Sequence, residues 1–268
     1  VIATFSILAD MSRQVGGSLV QVSNLVGPDA DVHMFEPRPA DLRDLMKAGV
    51  LVENGLGLEG WLNRMTSAVG FKGTTVVAAR DVKPRTMTEQ GGVVSIDPHA
   101  WQDPRNAELY VATMADGFAD ADPANRSAYQ ETANGYAQQI RRTDTWIESR
   151  LATIPPDRRR IITTHDAFGY YGARYGIEFL APEGISTEFE PSAKSVAALV
   201  AQIKREKIHA VFIENMTSPR MATMLAQETG AVLGGTVYSD ALSPLGGPAT
   251  TYIDMLSHNT TLFAQAMA

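Results

Sequence analysis

The residues best equipped for chemistry in this chain lie in Asp97-Pro98-His99-Ala100-Trp101-Gln102-Asp103-Pro104. A β-branched run, Val93-Val94-Ser95-Ile96, ends at a turn-forming Asp-Pro and presents one imidazole. It then meets Asp103-Pro104, an N-cap followed by a first helical residue. His99 therefore belongs on a strand-to-helix connection. Three further groups able to bind a metal follow strand-like runs in the same way: His33 after residues 20–26, His165 after Ile161-Ile162-Thr163-Thr164, and Asp240 after Val237-Tyr238. In a parallel α/β sheet the carboxyl ends of the strands open into one crevice, where ligands bind. Four side chains distant in sequence can converge there, and three imidazoles with one carboxylate form a donor set for a divalent cation. Of the five histidines, His209 and His258 lack this placement. His209 precedes the strand Ala210-Val211-Phe212-Ile213, at the end opposite the crevice. His258 lies inside a terminal helical pattern, and both read as structural or solvent-facing.

The elements that must position these groups follow from hydrophobic periodicity. Strands are predicted over 1–7, 20–26, 51–53 and 74–78, with helices over 9–15, closed by Gly16-Gly17, and over 40–47 and 58–68. This alternation is the mark of a parallel sheet. Residues 81–92 interrupt it with Pro84, polar residues and Gly91-Gly92, and are expected to form a mobile, solvent-exposed loop near the site. After Asp122-Pro123, Tyr129, Ala133, Tyr136, Ile140, Ile147 and Leu151 recur at helical spacing until Pro155-Pro156. A helix of that span is roughly 40 Å long at about 1.5 Å per residue, the thickness of a whole domain. Alternation then resumes, with strands over 161–164, 177–180, 210–214 and 232–238 and helices over 167–174, 192–207, 219–229 and 249–267. The fold class is α/β: two lobes with mainly parallel β-sheets flanked by helices, bridged by one long rigid helix. The predicted division is an N-terminal lobe over 1–122 carrying His33 and His99, the linking helix over 123–154, and a C-terminal lobe over 155–268 carrying His165 and Asp240.

Composition excludes several classes. A length of 268 residues with 44% hydrophobic and 20% charged residues gives a globular chain with a substantial core. A net charge of −7 argues against a nucleic-acid partner, which would require clustered Lys and Arg. Arg158-Arg159-Arg160 is the sole basic run and reads as an exposed turn. Zero Cys removes disulfides, thiolate catalysis and thiolate zinc sites together, so any metal is held by imidazole and carboxylate. The same absence is compatible with the bacterial periplasm, and it leaves no cysteine at the visible start for a lipid anchor, favouring a free form if that start is native.

Five segments, in order over nearly the whole chain, carry a resemblance. They are Val26 to Asp31 with His33 and Phe35-Glu36-Pro37; Asp97 to Pro104; Thr164-His165-Asp166-Ala167-Phe168-Gly169-Tyr170; Gly184-Ile185-Ser186-Thr187-Glu188 with Glu190-Pro191-Ser192-Ala193; and Asp240-Ala241-Leu242 with Gly246-Gly247. Together they resemble the zinc/manganese solute-binding proteins of bacterial ABC importers, the ZnuA/TroA type. The resemblance implies two lobes with metal in the cleft, no enzymatic activity, a periplasmic location with any signal peptide removed or absent here, and delivery of the ion to a membrane permease. It implies a monomer as well, and His33, His99, His165 and Asp240 as metal ligands. In that family the third ligand tends to be His in zinc binders and Glu in many manganese binders, so His165 implies Zn²⁺ ahead of Mn²⁺, imidazole being the better zinc donor. Two departures stand out. Val32 replaces the usual Pro before the first histidine, and residues 81–96 contain no His where many zinc members carry a His-rich loop. Either the protein captures zinc without that loop, a periplasmic metal-donor protein being one source of help, or a flexible part is absent from the sequence.

Glu36, Asp166, Glu188 and Glu190 are candidates to orient the imidazoles through hydrogen bonds. Asp103 reads as a helix cap, and Glu188 or Glu190 is the alternative to Asp240 as oxygen ligand. Two other functions remain in view: manganese or iron uptake on the same fold, and a zinc hydrolase with Asp240 as general base. Imidazole ligation by groups of ordinary pKa near 6.5 predicts binding that weakens below about pH 6.

Overall fold

The computed structural model describes residues 1–88, 94–188 and 191–268. In the first half, β1 (Ile2–Phe5), β2 (Ser23–Val26), β3 (Val50–Glu53) and β4 (Thr74–Val77) form a parallel sheet in the order β2-β1-β3-β4. In the second half, β7 (Arg160–Ile162), β8 (Glu178–Leu180), β9 (Ala210–Glu214) and β10 (Val232–Val237) form another parallel sheet, in the order β10-β9-β7-β8. Read from its other edge, β8-β7-β9-β10, the second sheet repeats the topology of the first. Such open parallel sheets direct the carboxyl ends of their strands toward one crevice, and here the two crevices face each other.

Helices α1 (Ser6–Gly16), α2 (Pro39–Lys47), α3 (Leu62–Val69) and α4 (Pro104–Ala121) flank the first sheet. Those of the second half are α6 (Gly169–Tyr175), α7 (Ala193–Glu206), α8 (Pro219–Thr229) and α9 (Tyr252–Met267). The long helix α5 (Arg126–Leu151) runs for 26 residues, about 39 Å at 1.5 Å per residue. A single turn of 3₁₀ helix, Pro123–Asn125, precedes it. The predicted stripe of Tyr129, Ala133, Tyr136, Ile140, Ile147 and Leu151 is buried throughout, with Thr143 completing it. That stripe packs on α1, α4 and α9, so one helix is shared by both halves. The principal core is accordingly continuous from Ile2 and Phe5 to Phe168, Phe212 and Phe263. A smaller core of Leu199, Ile203, Val211 and Leu225 seals α7 and α8 to the second sheet.

Local differences from the predicted elements have physical causes. Within the expected loop at 81–92, β5 (Arg85–Thr88) instead pairs antiparallel with β6 (Val94–Asp97), Arg85 opposite Asp97. Its alternating threonines are β-branched and polar, which suits an exposed strand as well as a loop. Residues 89–93, including the rest of that expected loop and Val93, lie outside the described residues. Helix α3 starts at Leu62 rather than at 58, after a turn in which Gly55, Leu56 and Gly57 occupy left-handed backbone, with φ of 83°, 56° and 86°. Helix α9 starts at Tyr252 rather than at 249, where the Thr251 side chain caps it by accepting from the Asp254 N–H.

Candidate metal centre

His33 and His99 come from the first half and His165 and Asp240 from the second, each from a connection beyond a strand end. His33 follows β2, His99 follows β6, His165 follows β7 and Asp240 follows β10. All four side chains are buried: His99, His165 and Asp240 are 0% exposed and His33 8%. One ligand atom from each lies within 4.8 Å of all the others. His33 Nε2 is 3.4 Å from His99 Nε2 and 3.2 Å from Asp240 Oδ2. His165 Nε2 lies 3.2 Å from Asp240 Oδ2, and His99 Nε2 lies 3.7 Å from Asp240 Oδ1. Four donors about 2.0–2.1 Å from a central ion sit about 3.3 Å apart at the corners of a tetrahedron. The observed separations bracket that edge.

Electrostatics point the same way. Neither Asp240 oxygen has a hydrogen-bond partner, nor does His165 Nε2, although all are buried. Unmet buried polar atoms cost free energy unless something satisfies them, and a cation among them would. In the ion-free protein, burial opposes the charge on His99, but Asp240 and Asp97 outweigh it and raise its pKa to about 9. His165 is raised well above the ordinary imidazole value, with Glu214 and Asp240 overcoming burial. Asp240 is held well below the carboxylate range, because His165 and His99 outweigh its burial. The carboxylates around these rings therefore favour positive charge at this position, whether carried by a proton or by a cation.

Each histidine is also held by a carboxylate that accepts its backbone N–H. Asp97 Oδ1 takes the N–H of His99 at 3.0 Å and its Nδ1 at 2.9 Å. Glu214 Oε1 takes the N–H of His165 at 2.8 Å, while Oε2 lies 2.6 Å from His165 Nδ1. A carboxylate on Nδ1 fixes the ring and leaves Nε2 available to a metal. Asp31 Oδ1 takes the N–H of His33 at 2.8 Å. Of the acidic residues expected in these roles, Glu36 and Glu188 are exposed, so neither reaches the buried rings. Asp166 is half-buried, its pKa raised by burial and then by Asp97, and the ring nitrogen it would orient on His165 is already taken by Glu214. Glu190 lies outside the described residues. Asp103 caps α4, accepting from the Arg105 N–H at 2.9 Å. His209 is exposed, and His258 Nε2 lies 2.9 Å from the Thr236 carbonyl, so both are structural or solvent-facing as expected. The missed orienting residues had unequal signals. Asp31-Val32-His33 and Asp97-Pro98-His99 share an Asp-x-His spacing, whereas Glu214 meets His165 across 49 positions and leaves no local trace.

Comparison with known proteins decides the family. The family of periplasmic zinc-uptake complex component A, ZnuA, matches residues 1–266. This chain belongs to the ZnuA family. The ZnuA-family chain is 30% identical over 272 residues to the manganese-binding lipoprotein MntA of Halalkalibacterium halodurans, covering 100% of this chain and 88% of that protein. It is 30% identical over 265 residues to the iron-binding protein YfeA of Yersinia pestis, covering 99% and 85%. The structure of the periplasmic zinc-binding protein TroA from Treponema pallidum superposes with a TM-score of 0.93 at 27% identity, covering 100% of this chain and 98% of that one. As a ZnuA-family member the chain is a metal-binding substrate-binding protein of an ABC importer, which implies a membrane permease as partner. It is not an enzyme, and the hydrolase alternative falls with the family assignment. No described helix is long and apolar enough to cross a membrane.

Proposed function

We propose that this protein captures Zn²⁺ in the periplasm through His33, His99, His165 and Asp240 and delivers it to an ABC import permease. The observation that carries the choice of ion is the third imidazole. His165 Nε2 sits 3.2 Å from Asp240 Oδ2, held by Glu214. Three nitrogen donors and one carboxylate at tetrahedral separations suit zinc, whereas manganese prefers more oxygen. The lobes over 1–122 and 155–268 act as one monomer about the helix over 123–154, and a donor protein supplies the ion where no His-rich loop exists.

Manganese or iron is the second reading, favoured by one feature of the site. Both Asp240 oxygens lack hydrogen-bond partners, so the carboxylate is free to contribute a fifth donor and an oxygen-richer shell. Competition calorimetry on the metal-stripped protein tests the choice: Zn²⁺ is expected to displace Mn²⁺ and Fe²⁺ at equal concentration. Tighter Mn²⁺ than Zn²⁺ binding overturns it.

A further inference from the structure

The three carboxylates that hold the histidine backbones differ in one respect. Asp97 and Glu214 each also face the ring of the histidine they hold, Asp97 with Arg85 3.6 Å from its other oxygen and Glu214 also accepting from the Thr164 hydroxyl. Asp31 does not. Its Oδ1 accepts from the N–H groups of His33, at 2.8 Å, and of Met34, at 3.3 Å. Its Oδ2 accepts instead from the Thr187 hydroxyl at 2.6 Å, across the cleft in the second half of the chain. Thr187 stands on the connection after β8 that packs against the His165 loop, where the Asp166 N–H donates to the Gly184 carbonyl and the Glu183 N–H to the Thr164 carbonyl. One carboxylate therefore spans from the backbone of one ligand to the loop that supports another.

The same loop reaches over a second time. Asp29, held at a left-handed φ of 52°, donates its N–H to the Leu242 carbonyl and accepts from Asn215 Nδ2 at 2.8 Å. Asn215 follows Glu214, and Leu242 lies two residues beyond Asp240. By contrast, the Val32 carbonyl is tied to its own half by the Trp61 indole N–H. His33 is also the one donor of the four that is measurably exposed. It is the outermost ligand, and its loop is the one clasped from the other side.

We propose that Asp31 is a positioning residue that locks His33 onto the ion when the two lobes close. Thr187 supplies the signal of closure: with the lobes together its hydroxyl fixes Asp31 Oδ2, and the rigid carboxylate then fixes the His33 backbone through Oδ1. When the lobes part, that hydroxyl leaves, the Asp31 carboxylate is free to turn, and His33 is the first donor released. Thr187 contacts none of the four donors among the described residues, and its hydroxyl meets the site through Asp31.

This inference rests on His33 being a ligand, and the experiment separates the two claims. Zn²⁺-loaded full-length protein is mixed with excess chelator in a stopped-flow instrument, comparing wild type, His33→Ala, Thr187→Val, Asp31→Asn and the Thr187→Val/Asp31→Asn double variant. Equilibrium zinc affinity of His33→Ala close to wild type overturns the ligand assignment. With that affinity lowered, Thr187→Val is expected to release Zn²⁺ about 10- to 100-fold faster, the scale of one hydrogen bond to a charged group. Its association rate should stay within about twofold, and the absorption spectrum of the Co²⁺-loaded variant should match wild type. Asp31→Asn should be at least as fast, and the double variant no faster than Asp31→Asn alone. A Thr187→Val release rate equal to wild type overturns the lock, as does additivity of the two single changes.

Discussion

The two halves of this protein repeat one strand order yet use a buried glutamate for opposite ends. In the first half, Glu59 accepts from the Thr4 hydroxyl at 2.7 Å and from the backbone N–H groups of Asn54 and Gly55. In the second, Glu214 accepts from the Thr164 hydroxyl at 2.7 Å and from the His165 N–H. Both tie a threonine at the end of a first strand to a neighbouring connection. Only Glu214 also faces an imidazole. Burial raises the Glu59 pKa to about 7, with no cation among the described residues to oppose it. Burial pushes Glu214 up too, but His165 reverses the sign and leaves it below its ordinary value. The same structural corner thus adjoins the candidate metal centre on one side, by presenting one histidine.

Removing a ligand gives the largest break in that comparison. His165→Ala should weaken Zn²⁺ binding on the order of 100-fold or more, since four donors share a binding free energy on the order of 10 kcal/mol, while the far-ultraviolet circular dichroism stays unchanged. Next comes the glutamate contrast itself. Glu214→Gln removes the charge behind His165 and should cost 10- to 100-fold in zinc affinity, whereas Glu59→Gln should leave calorimetric affinity within about twofold. Equal losses for both would show that the two corners do the same job.

A titration tests the same imidazoles over pH. With His99 raised to about 9 and His165 also raised, zinc must displace protons over a wider range than ordinary imidazoles imply. Affinity should fall about tenfold per unit for each displaced proton as pH drops below 9, and level off only above it. A plateau already reached at pH 7 would contradict the paired imidazoles. For the ion-free protein Glu59 adds its own term. Its folded pKa lies above the unfolded one, so the unfolded chain binds fewer protons, and stability falls as pH rises from 4.5 through about 7, by on the order of 3 kcal/mol. Urea denaturation of Glu59→Gln should show that slope flattened. Glu214 acts with the opposite sign: the stability it contributes is present above its unfolded pKa and is lost in acid. The smallest effect belongs to a residue outside the comparison. Asp103→Ala removes the α4 cap and should lower stability by about 1 kcal/mol without changing zinc affinity.

The parts of this account that were legible in sequence are those governed by local rules. Strands β9 and β10, helix α8 with its Ser218 cap and the Gly230 that ends it, and the buried stripe of α5 all follow from periodicity and end signals within a few residues. The four converging side chains were legible for a related reason, because strand ends in parallel sheets share a crevice. What stayed hidden depended on pairing across distance. Strand β5 was read as loop because its partner, not its own polar sequence, makes it a strand. Glu214 was read as the end of a strand, since nothing near it in sequence announces His165. Asp97 lay in plain view beside His99, but its Asp-x-His spacing shows its meaning only when the carboxylate is seen to hold both backbone and ring.

The most direct test is anomalous diffraction at the zinc absorption edge from crystals of the zinc-loaded protein. One peak is expected, about 2.0–2.2 Å from Nε2 of His33, His99 and His165 and from the Asp240 carboxylate, with Asp97 and Glu214 still on the far side of their rings. A peak elsewhere, or one bound by donors from a single lobe, would contradict the shared site.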